Sequence, residues 1–419
     1  MKKSRIYLMV ISVLIICTMA VNLIGCTTKV HAENLMKGIT PHEVTKLEDL
    51  SQYNGAVTDF AIRLFRQSEE KGTNTLISPL SVLYALAMTG NGAKEETLQQ
   101  METVLGMKTE DLNRYLYSYR KNLSQNTKNK LSLANSIWFT DDQRFTVNES
   151  FLQTNADYYG ADVYKTPFDD QTCEDINNWV NQKTDEMISE ILDQLSPSAV
   201  MYLVNALAFE AEWSEAYEDH QVRDGIFTKE DGTKQSASMM HGSEGIYLED
   251  DQATGFMKRY QGGEYAFVAL LPKEGVSVSE YVESLNGEKL HTMLSNPQYE
   301  TVLTSIPKFE AESDLEMSQI LKTMGMPNAF DAIGADFTGL GTSTEGNICI
   351  DRVLHKTFIS VGEKGTKAGA STVIEMTDGA MLIPQENKMV YLERPFIYML
   401  IDCDNHIPFF IGTMMDMKN

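Results

Sequence analysis

The residues of this 419-residue chain that could do chemistry are scattered, and few sit in a known catalytic spacing. His31, His42, His220, His241, His291, His355 and His406 stand singly, and no His-Glu-x-x-His, Gly-x-Ser-x-Gly or Gly-x-x-x-x-Gly-Lys run occurs. Gly90-x-Gly92 meets Glu95 where a dinucleotide-binding turn needs a third glycine. A Ser-His-Asp triad assembled from distant segments stays open, because triads are defined in space and not by position along the chain. Cys173, Cys349 and Cys403 form no Cys-x-x-Cys pair and are odd in number. A disulfide framework or zinc site is therefore not expected, and the three read as buried thiols. No metal ligand set, cofactor fingerprint or catalytic residue can be named from these patterns.

The elements that would carry any site are legible in outline. Val57, Phe60, Ala61, Leu64 and Phe65 recur at helical spacing and predict an amphipathic helix over 54–68. Ser78-Pro79 opens a second helix whose body, Val82 to Met88, is apolar on several sides and should be buried. Ile176, Trp179, Val180, Met187, Ile188 and Ile191 form a third stripe. Leu131–Phe139, Met201–Phe209, Tyr265–Leu271, Thr301–Phe309, Phe358–Val361 and Phe396–Ile401 read as strands. Ala266–Leu271 is apolar almost throughout, as a strand covered on both faces would be. Helices lie mostly early and strands mostly late, which is an α+β pattern.

Composition narrows the function classes. With 42% hydrophobic and 22% charged residues the chain is ordinary globular material, so collagen-like, coiled-coil and disordered readings fall away. A formal charge of −24 opposes binding to phosphate backbones, so nucleic acid is not an expected partner. The first 25 residues stand apart. Lys2, Lys3 and Arg5 precede an apolar run from Ile6 to Ile24 that ends in Leu23-Ile24-Gly25-Cys26. This resembles a bacterial lipoprotein signal, whose Leu-x-Gly-Cys box is cut before a cysteine that receives lipid; an uncleaved signal anchor is the alternative. Loss of residues 1–25 would deepen the charge to −27. Residues 26–50 then read as a tether from lipidated Cys26, and residues 51–419 as one unusually long continuous domain without linker or repeat.

A series of motifs along that domain resembles the serpin family. Ser78-Pro79-Leu80-Ser81-Val82, Leu86-Ala87-Met88 and Gly92-Ala93 come first. Leu133-Ala134-Asn135-x-x-Trp138-Phe139, Ile176-Asn177-x-Trp179-Val180 and Leu203-Val204-Asn205-Ala206 with Phe209 and Trp213 follow. Then come Ile306-Pro307-Lys308-Phe309, Met324-Gly325-Met326 leading to Ala335-Asp336-Phe337, and His355-Lys356 with Glu363-Lys364-Gly365-Thr366, before Arg394-Pro395-Phe396. The resemblance covers about residues 50–415. Glu95 and Glu186 depart from it, standing where the family often has glycine.

The resemblance implies a central five-stranded sheet, about eight or nine helices, an exposed reactive loop and a monomer. It implies an inhibitor and not an enzyme: a protease attacks the loop, an acyl-enzyme forms, and the cleaved loop adds to the central sheet as a new strand. Such a loop must alternate along its length. In the family register Thr366, Ala368, Ala370, Thr372, Ile374 and Met376 face inward. Lys367, Gly369, Ser371, Val373, Glu375 and Thr377 face outward, so both charges fall on the solvent side. A one-residue slip would bury them. Proline is absent from Glu363 to Ile383, as an inserting strand requires. Gly365 through Thr372 would be the hinge.

The family's usual distance puts the reactive bond at Gly379–Ala380, with Ala380–Met381 and Met381–Leu382 as alternatives. No lysine or arginine lies between Lys367 and Lys388, so an elastase-like or subtilisin-like target is expected and a trypsin-like one is not. By the same resemblance Ser78, Ser81, Asn205 and His355 form a polar shutter under the sheet. Trp213, Lys308 and Glu363 form the breach where the loop first inserts. A non-inhibitory serpin used as a surface binding module is the competing reading.

Overall fold

Ser78 shows how local chemistry starts an element here. Its backbone is extended, its hydroxyl accepts the Ser81 N–H, and Pro79 takes the first helical position, where no N–H is needed. The helix Pro79–Gly90 is buried along its whole length, as its apolar body requires. Before it, the Ser51–Ser68 helix turns Val57, Phe60, Ala61, Leu64 and Phe65 into the core. The computed structural model describes residues 30–123, 129–184, 186–196, 199–366 and 387–417. Among these it has nine α-helices around three larger sheets and one two-stranded sheet. No helix among the described residues is long and apolar enough to cross a membrane.

The largest sheet positions the site. Its five main strands are, in spatial order, Asp162–Thr166, Asn129–Thr140, Met201–Glu212, Leu354–Gly362 and Phe309–Glu316. Two short strands add to them: Glu33–Asn34 at one edge, and Gly365–Thr366 between Met201–Glu212 and Leu354–Gly362. The two strands beside that insertion run parallel and are bridged directly at Leu203↔Val353. Behind the sheet, the strand Tyr265–Pro272 is buried at every residue between Ala253–Arg259 and Phe396–Asp402, as its unbroken apolar run predicts. On the opposite face the helix Asp170–Lys183 lays Ile176, Trp179 and Val180 against Trp138, Tyr164 and Val204.

Three expectations change. The stripe from Ile176 to Ile191 is not one helix: helix ends at Lys183, and Ile188 and Ile191 continue in irregular chain while still buried in the same cluster. Apolar spacing marks burial there without marking helix. Thr301–Phe309 is not one strand either. Val302–Pro307 belongs to the four-stranded sheet and Phe309–Glu316 to the large one, so Lys308 sits at the crossing. Residues 30–50, read above as part of a tether, lie against the body. Glu33–Asn34 pairs with Asp162–Thr166, the N–H groups of His31 and Ala32 donate to Asp175, and that of His42 donates to Asp157. The departures at Glu95 and Glu186 also gain a reason. Both residues have left-handed backbone, φ 45° and 64°, a region glycine adopts at less cost.

Candidate functional site

The open seam of the large sheet is built from the backbone outward. Parallel strands need a crossover and pair slightly less well than antiparallel ones. Gly365 and Thr366 follow a tight turn after Leu354–Gly362 and run back antiparallel to both neighbours. Gly365 pairs with Gly362 and Glu212, and Thr366 with Val361 and Ala211. At Gly365 the approach leaves no room for a side chain: an added Cβ would fall 2.0 Å from the Ala211 carbonyl oxygen, and φ is +153°. Thr366 is 1% exposed, and its hydroxyl shares a 2.5 Å hydrogen bond with the Tyr260 hydroxyl. The seam is thus a slot whose first two positions are occupied by the chain's own next residues.

Above the slot the polar contacts converge on the turn 362–364. The Trp213 indole N–H donates to the Gly362 carbonyl at 2.8 Å, the Trp213 backbone N–H to Lys364 at 2.8 Å, and the Tyr217 N–H to Glu363 at 2.9 Å. The Lys308 ammonium meets the Glu363 carboxylate at 2.5 Å; its hydrogen bond holds Glu363 below the usual carboxylate range. Trp213, Lys308 and Glu363, named from sequence, therefore meet around one turn. Replacing Glu363 by lysine would set two ammonium groups against each other and free the turn. The expected result is faster formation of polymers on mild heating, checked by native gel; a variant that stays monomeric at the wild-type rate would separate this ion pair from sheet opening.

Sequence reasoning missed the layer beneath. Tyr260 stacks on Trp213 at 4.4 Å with the planes 10° apart. The Lys258 ammonium lies 5.4 Å from the centre of the Trp213 ring and 4.5 Å from that of Tyr217, and it donates to Glu244 at 2.8 Å. Burial raises the Glu244 carboxyl while Lys258 pulls it back. A lysine following the apolar pair Phe256-Met257 in a strand was the one available signal, because a buried charge needs a partner.

Lower in the sheet the expected polar cluster divides. The Ser78 backbone N–H donates to His355 Nε2 at 2.9 Å, and Ser81 donates its N–H to the Ser78 hydroxyl. Burial lowers the His355 pKa to about 4, and the N–H aimed at Nε2 suits the neutral ring. Asn205 does not join them: its side-chain amide donates to the Asn135 carbonyl oxygen, its register partner across the sheet. The register puts the two amides directly opposite each other on adjacent strands, joined by this one hydrogen bond, while the Asn205 Oδ1 is buried without a partner among the described residues.

Of the hinge, Gly365 and Thr366 are described; Lys367, Ala368, Gly369, Ala370, Ser371 and Thr372 lie outside the described residues, as do Gly379, Ala380, Met381, Leu382 and Cys26. The segment 367–386 joins the slot to Lys388–Tyr391, an edge strand of the four-stranded sheet that runs parallel to Val302–Pro307. Among the described residues no group of three or more His, Cys, Asp and Glu is arranged to hold a metal ion.

Comparison with known proteins fits this geometry. Residues 55–417 match the family model for serpins, described as serine protease inhibitors. A serpin-like protein of Thermococcus kodakarensis is 30% identical over 389 residues, covering 91% of this chain and 89% of that protein. Leukocyte elastase inhibitor A of Mus musculus is 28% identical over 369 residues, covering 84% and 96%. The native state of tengpin, a thermophilic serpin, is 46% identical and superposes with a TM-score of 0.88 over 92% of this chain and 100% of that one. Its latent state gives 0.79 at 44% identity, over 90% and 100%. With Gly365 and Thr366 seated between two parallel strands and a family match over residues 55–417, the chain belongs to the serpin family, whose members are in general protease inhibitors rather than enzymes.

Proposed function

We propose that this protein is a suicide inhibitor of a serine protease with a small or medium apolar pocket, elastase-like or subtilisin-like. The observation that carries the reading is the slot. Gly365 and Thr366 lie between two parallel strands and antiparallel to both, with Thr366 buried. Each further residue that followed would convert parallel neighbours into antiparallel pairs and add ladder hydrogen bonds, each worth about 0.5–1.5 kcal/mol net. The inward series Ala368, Ala370, Thr372, Ile374 and Met376 carries no charge into the core. Cleavage at Gly379–Ala380 would free the segment to insert while the protease is still an acyl-enzyme. Trp213, Lys308 and Glu363 would act as the breach, and Ser78, Ser81 and His355 as the shutter. Asn205 would act in the shutter through Asn135.

The likeness to a leukocyte elastase inhibitor supports the pocket class, as does the absence of lysine and arginine from Ala368 to Asn387. The negative charge of the chain would favour a cationic protease during encounter. Export would follow cleavage of residues 1–25, and lipid on Cys26 would hold the inhibitor at the cell envelope. A Cys26→Ser variant should then leave the membrane fraction and lose its acyl mass.

The function is tested by incubation with a panel of elastase-, subtilisin-, chymotrypsin- and trypsin-like proteases. An SDS-stable complex with one of the first two is expected, together with a released peptide beginning at Ala380. A peptide beginning at Met381 or Leu382 would move the reactive bond. Turnover of the loop by every protease with no stable complex would refute inhibition and leave a binding module.

A further inference from the structure

We propose that Tyr260 is the positioning residue for the first step of loop insertion, acting as a latch that holds Thr366 in the slot through paired hydroxyls. This deepens the inhibitory reading and rests on it.

Four observations converge. The Tyr260 side chain is fully buried, and its hydroxyl meets the Thr366 hydroxyl at 2.5 Å. Burial pushes the phenol far above its ordinary pKa, so it stays protonated and keeps its donor. Were Thr366 to leave, that hydroxyl would be buried without this partner, a state folded proteins avoid. The ring cannot follow an outgoing hinge. It is stacked on Trp213 on one face and met edge-on by Phe209 at 5.1 Å, and the Tyr260 backbone N–H donates to the Tyr265 carbonyl. Trp213 is in turn fixed by its indole bond to Gly362 and by the buried Lys258–Glu244 pair. The hydroxyl is thus presented from a rigid stack to the inward-facing residue of the inserting parity.

The consequence is kinetic. Insertion competes with hydrolysis of the acyl-enzyme. A strand whose first inward side chain is already seated starts from a formed nucleus, and one that must first seat it starts late. Losing the latch should shift the partition toward hydrolysis without touching the reactive bond. Thr366 and Tyr260 should act as one unit.

The experiment measures moles of inhibitor consumed per mole of protease inactivated, for wild type, Tyr260→Phe, Thr366→Val, the double variant and Thr366→Ser. Loss of one buried hydrogen bond predicts an increase of about fivefold in each of Tyr260→Phe and Thr366→Val. The double variant should be no worse than either, and Thr366→Ser should stay near wild type. An unchanged ratio in Tyr260→Phe, additive effects in the double variant, or a lowered melting temperature with an unchanged ratio would each overturn the latch. A second readout needs no inhibition. Tryptic cleavage after Lys367, followed by mass spectrometry, requires the hinge to leave the sheet and should be about fivefold faster in Tyr260→Phe. If the wild type forms no stable complex with any protease, the inhibitory reading falls; the Lys367 cleavage rates then decide whether the hydroxyl pair holds the hinge.

Discussion

Replacing Thr366 with arginine should turn the protein from an inhibitor into a substrate. Thr366 lies 1% exposed between the backbones of Val361 and Ala211, with its hydroxyl on Tyr260 and the stacked Trp213 ring behind. Among the described residues the nearby acids are already engaged: Glu363 faces Lys308 at the turn above, Glu244 faces Lys258, and Glu212 accepts from Gln261. An unpaired buried charge costs several kcal/mol, and the strand has no alternative parity, because a one-residue slip would bring Lys367 and Glu375 inward. Attack on the reactive bond lies outside the slot and should proceed. The measurement is the fraction of cleaved inhibitor recovered in SDS-stable complex, which should fall at least about tenfold, the effect of 1.4 kcal/mol. Complex formation by the arginine variant at the wild-type fraction would remove strand insertion from the mechanism.

The second large effect is expected from acid, through His355. Its Nε2 accepts the Ser78 N–H at 2.9 Å, so a proton there would face another proton, and burial lowers the pKa to about 4. In the unfolded chain the ring titrates near its ordinary 6.5. Between these values the unfolded state binds the proton and the folded state does not. Stability therefore rises with pH across this window. The contribution is complete above about pH 6.5 and is lost as pH falls from there to about 4, roughly 3 kcal/mol in all. Because His355 and Ser78 tie the Leu354–Gly362 strand to the start of the helix Pro79–Gly90, the lost stability should show as easier sheet opening. The half-life of the monomer at fixed temperature should shorten markedly from pH 7.5 to pH 5. In His355→Gln the baseline stability should be lower and much of that pH dependence gone. If wild type and variant decay in parallel across the window, other groups carry the acid sensitivity; Asp402 is not one of them in this direction alone, since burial raises its carboxyl and makes acid less harmful there.

Much of this architecture is local, and local features are readable. The Ser78 cap and Pro79 fix a helix start within four residues, the run Ala266–Leu271 marks a buried strand, and the spacing of Val57 to Phe65 marks a helix face. Charge and shape confined to one stretch are readable too. The alternation from Thr366 to Thr377 is a period-2 pattern in the sequence, but beyond Thr366 it lies outside the described residues. Lys308 and Glu363 could be paired from the family resemblance, and they meet at 2.5 Å. Even the two departures from glycine, Glu95 and Glu186, flagged backbone positions with positive φ.

Where the reading failed, the deciding contact lay far along the chain. A break between sheets at Lys308 leaves no mark on Thr301–Phe309, because Val302–Pro307 and the strand from Phe309 are both extended chain carrying apolar residues. Asn205 pairs with Asn135, 70 residues away, because the register of two antiparallel strands places them opposite each other. Residues 30–50 have little periodicity, so their seating against Asp175, Asp157 and the sheet edge depends on surfaces made elsewhere.

By itself the sequence determined the class, the helix start at Ser78-Pro79 and the residues around the turn 362–364. Only the tertiary structure decided that the seam is a parallel pair held open by Gly365 and Thr366, and that Tyr260 holds Thr366 in it. Tyr260 and Thr366 are 106 residues apart, and neither is unusual in its own neighbourhood. Caps and periodicities are set by residues a few positions apart. A hydroxyl pair in a packed stack exists only once Trp213, Phe209 and the two parallel strands have closed around it.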